Sequence, residues 1–162
     1  MREPYRAVNV GGRAPVSSST KDRPSIVIAE DSSLMLTRLQ LLLAHQCEVL
    51  AAVADGNALV KAVRTYRPDV IVTDIDMPGM NGFDAARVIL AEQPGARIVF
   101  VTTIHDPEII REALAIGALG FVGKRDAGFE LVKAVRSTMD GKKYISQSGW
   151  NAFGEYLGSR QN

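Results

Sequence analysis

The chain has 162 residues, 46% of them hydrophobic and 23% charged, and a net charge of +1. That length suits one domain with a proper core, and so small a charge gives no general field toward nucleic acid or an anionic membrane. Cys47 is the single cysteine, which excludes an internal disulfide and a cysteine metal cluster. No apolar run approaches the roughly 18 residues needed to span a bilayer, and the opening MREPYRAVNV lacks a signal peptide's apolar segment. A cytoplasmic location with no membrane partner is therefore expected.

Residues 1–24 differ in composition from the rest. They hold Pro4, Pro15, Pro24, Gly11, Gly12 and a run of three serines, with five basic residues against two acidic ones, so the leader carries +3 and the remainder −2. This reads as a flexible basic leader. From Ser25 strands and helices alternate. Ile26–Ala29 is a short apolar run closed by Glu30 and Asp31. A helix follows with Met35, Leu39, Leu42 and Leu43 on one face and Ser32 or Ser33 as its cap. Residues 47–53 read as a second strand, and Leu59, Val63 and Tyr66 mark the helix after Asp55. Residues 69–73 form the third strand, with Phe83, Ala86 and Leu90 on the next helix. Residues 97–101 form the fourth, followed by a helix marked by Ile110, Ala113, Leu114 and Gly117. Residues 119–122 form the fifth, followed by a helix with Val132, Val135 and Met139. Five strand-then-helix units predict an α/β fold: a doubly wound, five-stranded parallel sheet covered by helices on both faces. The expected domain runs over 25–146. Residues 147–162 form a tail in which Trp150, Phe153 and Leu157 make one short amphipathic helix, expected to pack on the domain or on a partner.

In open sheets of this kind ligands bind beyond the carboxyl ends of the strands. Glu30 and Asp31 stand at the first strand end, Asp74 at the third, Thr102 and Thr103 at the fourth, and Lys124 after the fifth. Two carboxylates about 5 Å apart repel by roughly 3 kcal/mol at an effective dielectric near 20. Several acids on one rim must hold protons or share a cation, and hard oxygen donors favour Mg²⁺. A hydroxyl and an ammonium beside them suit phosphoryl oxygens, and a carboxylate can itself be a nucleophile. Singly, each residue has a plainer reading: Asp76 as a helix cap, Thr102 as a strand-end hydroxyl, Phe121 as core, Lys124 as a surface charge, His105 as a loop residue and Cys47 as packing. The run GFVGKR is not a phosphate-binding loop, because Ala118 stands where its first glycine would be.

The Glu30–Asp31 pair, Asp74 within DIDMPGMNG, Thr102 in IVFVTT and Lys124 in GALGFVGK together resemble the response-regulator receiver domain of two-component signalling, over about residues 25–146. The stretch from Gly117 to Ser146 is most similar to receivers that precede a LuxR-type (NarL-like) helix-turn-helix. The resemblance implies strand order 2-1-3-4-5. It implies Asp74 as phosphoacceptor from a sensor histidine kinase or phosphotransfer protein. Mg²⁺ would be held by Asp31 and Asp74, by Glu30 through water, and by the backbone carbonyl of Asp76. Lys124 would pair with the phosphoryl group, Thr102 would be the switch hydroxyl and Phe121 the switch aromatic. The output face, built from helix four, strand five and helix five, would include Glu108, Arg111, Leu119 and Arg125. The implied protein is a signalling switch rather than an enzyme, with self-catalysed phosphotransfer and dephosphorylation, an unknown output protein, and a phosphorylation-dependent homodimer left open.

This sequence departs from the family at Arg125, where proline is commonest, and at Thr103. Asp76 and Ile104 would flank the path of hydrolytic water and tune the phosphoryl lifetime. Only QSGWNAFGEYLGSRQN follows Ser146, so a stand-alone receiver, or the receiver of a longer transcriptional regulator, is expected, without direct DNA binding. The leading alternative is a Mg²⁺-dependent phosphohydrolase of the haloacid-dehalogenase type, which the TDID stretch fits. It leaves Glu30–Asp31 unexplained and lacks the later strand acids that family needs. A pseudo-receiver scaffold is the other alternative, but no acid or lysine of the set is lost.

Overall fold

A computed structural model describes residues 23–103 and 106–160, with the backbone alone for Tyr156, Leu157 and Arg160. Ile104, His105 and the leader as far as residue 22 lie outside the described residues, as does the side chain of Leu157. Strand β1 (Ser25–Ala29) leads to α1 (Ser33–Leu43), β2 (Glu48–Val53), α2 (Gly56–Tyr66), β3 (Val70–Thr73), α3 (Gly82–Glu92), β4 (Ile98–Thr102) and α4 (Pro107–Ile116). Then come β5 (Gly120–Gly123), a 3₁₀ turn (Lys124–Asp126), α5 (Ala127–Met139), β6 (Tyr144–Ile145) and α6 (Gln147–Arg160). All strands are parallel, in the order β2-β1-β3-β4-β5-β6.

The sheet therefore has six strands, where five were expected. The sixth was hidden because it is two residues long and carries no apolar run. Its pairing of Tyr144 with Gly120 and Ile145 with Phe121 is set by the chain's return past α5, not by local pattern. The leader boundary also moves. The Arg23 guanidinium donates to the carbonyls of Ala44 and Cys47, and the Pro24 carbonyl accepts from Glu48 N–H, so both residues belong to the body.

Side chains alternate across the pleat, and that alternation makes two cores. Ile26, Ile28, Val70, Val72, Val99, Val101 and Val122 pack with Leu39, Leu43, Leu131 and Val135 of α1 and α5. Val27, Ala29, Ile71, Ile98, Phe100 and Phe121 face the other way, toward α2, α3 and α4. Phe100 meets Phe83 edge to face, with centroids 5.1 Å apart. Tyr66, the last residue of α2, is 48% exposed where the helix ends on a left-handed Arg67.

Helix starts follow from short polar caps. Ser32 accepts from Met35 N–H, Asp55 from Ala58 N–H, Asn81 from Asp84 N–H and Asp106 from Glu108 N–H. Asp76 is not a cap. Helix α6 packs against α4 and β5, with Ala152 and Phe153 half-buried against the core on that face. No helix among the described residues is long and apolar enough to cross a membrane.

Candidate functional site

Register brings the rim residues together. Ala29 pairs with Thr73, and Asp74 N–H donates to the Ala29 carbonyl at 2.9 Å, so Glu30 and Asp74 emerge side by side. Thr102 pairs with Gly123, which places Thr102 beside the residue preceding Lys124. The loop after β3 must then turn tightly under Asp74. Gly82 N–H donates to the Ile75 carbonyl at 2.7 Å, and a Cβ on Gly82 would lie 2.0 Å from the Asp74 carbonyl oxygen. Only glycine fits this close approach.

Lys124 Nζ lies 2.8 Å from Asp74 Oδ2 and 2.8 Å from Glu30 Oε2, across fifty residues of sequence in the first case. Asp74 Oδ1 accepts from Ile75 N–H at 2.7 Å, so each oxygen of Asp74 is held. Glu30 Oε1 accepts from Ser32 N–H at 3.0 Å. Glu30 Oε2 touches the ammonium only as an ion contact and has no partner at hydrogen-bonding angles, although it is buried. Asp31 stands exposed at the mouth, and one oxygen from each of Glu30, Asp31 and Asp74 falls within 4.8 Å of the others.

Burial pushes the Glu30 carboxyl above its ordinary value, against the opposing bonds from Lys124 and Ser32, with the Asp74 charge adding to the rise. Burial alone would lower Lys124. The bonds to Asp74 and Glu30 outweigh it and hold the ammonium above its ordinary value. The pocket is thus an acid cluster carrying one fixed positive charge, with Glu30 Oε2 held only by its ion contact to that charge. Three hard carboxylate donors converging beside a single ammonium suit a small divalent cation such as Mg²⁺.

Glu30, Asp31, Asp74 and Lys124, expected from the sequence to share a site, do so. Thr102 is buried at the end of β4, and Phe121 is fully buried in β5, paired with Phe100. The Asp76 side chain is exposed on the loop past β3, outside the carboxylate cluster. On the expected output face, Glu108 and Arg111 form an exposed ion pair at 2.6 Å on α4, and Arg125 is exposed in the 3₁₀ turn. The Leu119 carbonyl accepts from Tyr144 N–H, so β6 lies over this edge of the sheet. Sequence reasoning missed Ser146, Ser148, Asp126 and Glu130. The Ser146 hydroxyl accepts from Gly123 N–H, Asp126 accepts from Ser148, and Glu130 accepts from the Tyr144 hydroxyl and from Gln147 N–H. Single serines and acids beside a two-residue strand leave no periodic signal.

A parallel sheet in this order, with an acid pair after its first strand, an acid after its third and a lysine after its fifth, defines a class of phosphoryl-responsive signalling domain. The chain belongs to the response regulator receiver domain family, whose model matches residues 26–136. It is 30% identical over 123 residues to the response regulator GacA of Pseudomonas aeruginosa, covering 75% of this chain and 58% of that one. It is 36% identical over 121 residues to the transcriptional regulatory protein DesR of Bacillus subtilis, covering 74% and 60%. The chain thus spans under two thirds of these curated relatives. Among solved structures, a LuxR-family two-component response regulator from an Aurantimonas species superposes with a TM-score of 0.80 at 26% identity, covering 83% of this chain and 98% of that one. The isolated receiver domain of RcsB from Salmonella enterica, determined with the phosphomimetic BeF₃⁻, gives 0.74 at 25% identity, covering 80% and 98%.

Proposed function

We propose that the chain is a phosphorylation-controlled switch whose phosphoacceptor is Asp74, charged by a sensor histidine kinase or phosphotransfer protein in the cytoplasm. The observation that carries this reading is the Lys124 ammonium held 2.8 Å from Asp74 Oδ2, beside the Glu30–Asp31 pair whose oxygens converge with that of Asp74.

An Asp74 oxygen attacks the phosphorus of a phosphohistidine. The P–N bond breaks, its electron pair returns to the imidazole nitrogen, and an acyl phosphate forms on Asp74. The Ile75 N–H and the Lys124 ammonium hold the carboxylate at a fixed angle before attack, so little motion is needed to reach the transition state. Lys124 then follows the charge onto a phosphoryl oxygen, and Thr102 supplies a hydroxyl from the neighbouring strand. Asp31 and Asp74, with Glu30 through water and the Asp76 carbonyl, would hold Mg²⁺, which would supply positive charge to neutralise phosphoryl oxygens. Water attack on phosphorus later returns the carboxylate and releases inorganic phosphate. Asp76 flanks that route and tunes its rate. The chain is not a turnover enzyme in this reading, and it signals through the α4–β5–α5 side, where Glu108, Arg111, Leu119 and Arg125 stand.

Incubation with acetyl phosphate and Mg²⁺, followed by intact mass, tests this. One phosphoryl adduct is expected on the wild-type chain and none on Asp74→Asn. An adduct that survives the substitution, or steady turnover of a generic phosphomonoester, refutes the reading.

A further inference from the structure

Lys124 follows directly on β5, and Tyr144, Ser146 and Ser148 are bonded along the outer edge of that strand and the turn after it. Tyr144 N–H donates to the Leu119 carbonyl at 2.8 Å and Ser146 N–H to the Phe121 carbonyl at 2.9 Å. The Ser146 hydroxyl, fully buried, accepts from Gly123 N–H at 2.9 Å, one residue before Lys124. Two residues beyond Lys124, the Asp126 carboxylate accepts from Ser148 N–H at 3.0 Å and from the Ser148 hydroxyl. The lysine is thus bracketed, and both brackets are the residues that open α6.

That helix has little intrinsic strength. Glycines at 149, 154 and 158 each disfavour it relative to alanine. Its order comes from docking. Gly149 sits so close to the sheet that a Cβ would lie 2.8 Å from Ile145 Cγ2 and 3.5 Å from Phe121 Cδ1. One end of the helix therefore rests on a fully buried ring of β5, the strand that leads into Lys124, and on the turn that Lys124 opens.

We propose that Ser146, Ser148 and Asp126 form a latch through which β6 and α6 position Lys124 for phosphoryl capture, and that α6 docking responds in turn to the state of Asp74. The proposal rests on the phosphoacceptor reading. The main chain on both sides of Lys124 is fixed by the latch, so the reach of Nζ toward Asp74 is set by where α6 begins. Linkage makes the coupling reciprocal: if docking favours one state of Asp74, a change in that state alters docking by the same factor.

Trp150, the one tryptophan, lines with Phe153 of α6 a cleft closed on its other side by Leu114 of α4 and by Tyr144 and Ile145 of β6, so its emission reads docking. The full chain and its Ser146→Ala, Ser148→Ala and Asp126→Asn variants are treated with saturating acetyl phosphate and Mg²⁺. Adduct formation is followed by intact mass and Trp150 by fluorescence. The variants are expected to lose about tenfold in rate, well inside the hundredfold that a 1 Å misplacement costs. Ser148→Thr, which keeps the hydroxyl, restores the rate. Wild-type emission shifts on phosphorylation and Asp126→Asn emission does not. Variant rates within about twofold of wild type, or a wild-type emission that does not move, overturn the proposal.

A second readout needs no phosphoryl transfer: labelling of Lys124 by trinitrobenzenesulfonate, read by peptide mass. It quickens in the latch variants if the latch holds the lysine, and an unchanged rate overturns the proposal. Should wild type take up no phosphoryl group, the phosphoacceptor reading fails, and the labelling alone decides the latch. Ser148→Ala removes only a hydroxyl and serves where another variant does not fold.

Discussion

Lys124 holds two carboxylates that would otherwise repel by about 3 kcal/mol at an effective dielectric near 20. Its removal leaves Glu30 buried without a counter-charge, the situation in which breaking a buried pair costs about 3–5 kcal/mol. Lys124→Met is therefore expected to destabilise the fold by about 3 kcal/mol at neutral pH in urea titration, with part of the loss recovered on adding Mg²⁺. Tyr144 gives a pH signature. Burial, then its bond to Glu130, pushes its phenol up to about 12. A folded value above the unfolded one means the contribution is complete below about pH 10 and is lost as pH rises through about 12. Tyrosinate absorbance should show a component ionising near pH 12, which Tyr144→Phe removes.

At the scale of the element, the loop after β3 and the start of α3 decide how Asp74 is presented. Asn81 caps α3 by accepting from Asp84 N–H at 2.9 Å, and Asn81→Ala should cost about 1 kcal/mol in chemical denaturation. Gly82→Ala should do more harm than its helix propensity suggests. Its methyl would meet backbone rather than a movable side chain, so the Asp74 carbonyl itself must shift. A variant that unfolds no earlier than wild type and accepts phosphoryl groups at the wild-type rate would show that this close approach does not hold the site.

For the whole molecule, two cores share one sheet, and the site sits where their strands end. Phe100 is fully buried against Phe83. Phe100→Ala should cost about 3–5 kcal/mol by transfer and cavity terms together, read in chemical denaturation. Cation binding acts on the same equilibrium. At a hundred times its dissociation constant, Mg²⁺ should add about 2.7 kcal/mol of stability, measured as a rise in melting temperature that chelation reverses. Asp31→Asn should abolish that increment while leaving the apo protein folded, because Asp31 is exposed and makes none of the buried bonds.

Apolar runs such as VIV and IVFV, each closed by a polar residue, made the first five strands and the rim acids readable from the chain. Period-2 patterning and buried parallel strands are local properties. A cap for α1 at Ser32 or Ser33 was readable too, because a short polar residue precedes the apolar-periodic run; the choice of Ser32 came from the structure. The sixth strand was not readable, because Tyr144 and Ile145 become a strand only when the chain returns beside β5. Nor were the two contacts of the Lys124 ammonium, to Glu30 and to Asp74, or the grip of Asp126 on Ser148. The sequence alone determined which chemical groups stand at the strand ends, since the order of residues fixes which side chain comes next after each apolar run. Only the tertiary structure decided which of them touch, because distances of a few ångströms between residues fifty apart are set by strand register and packing, and nothing local encodes those.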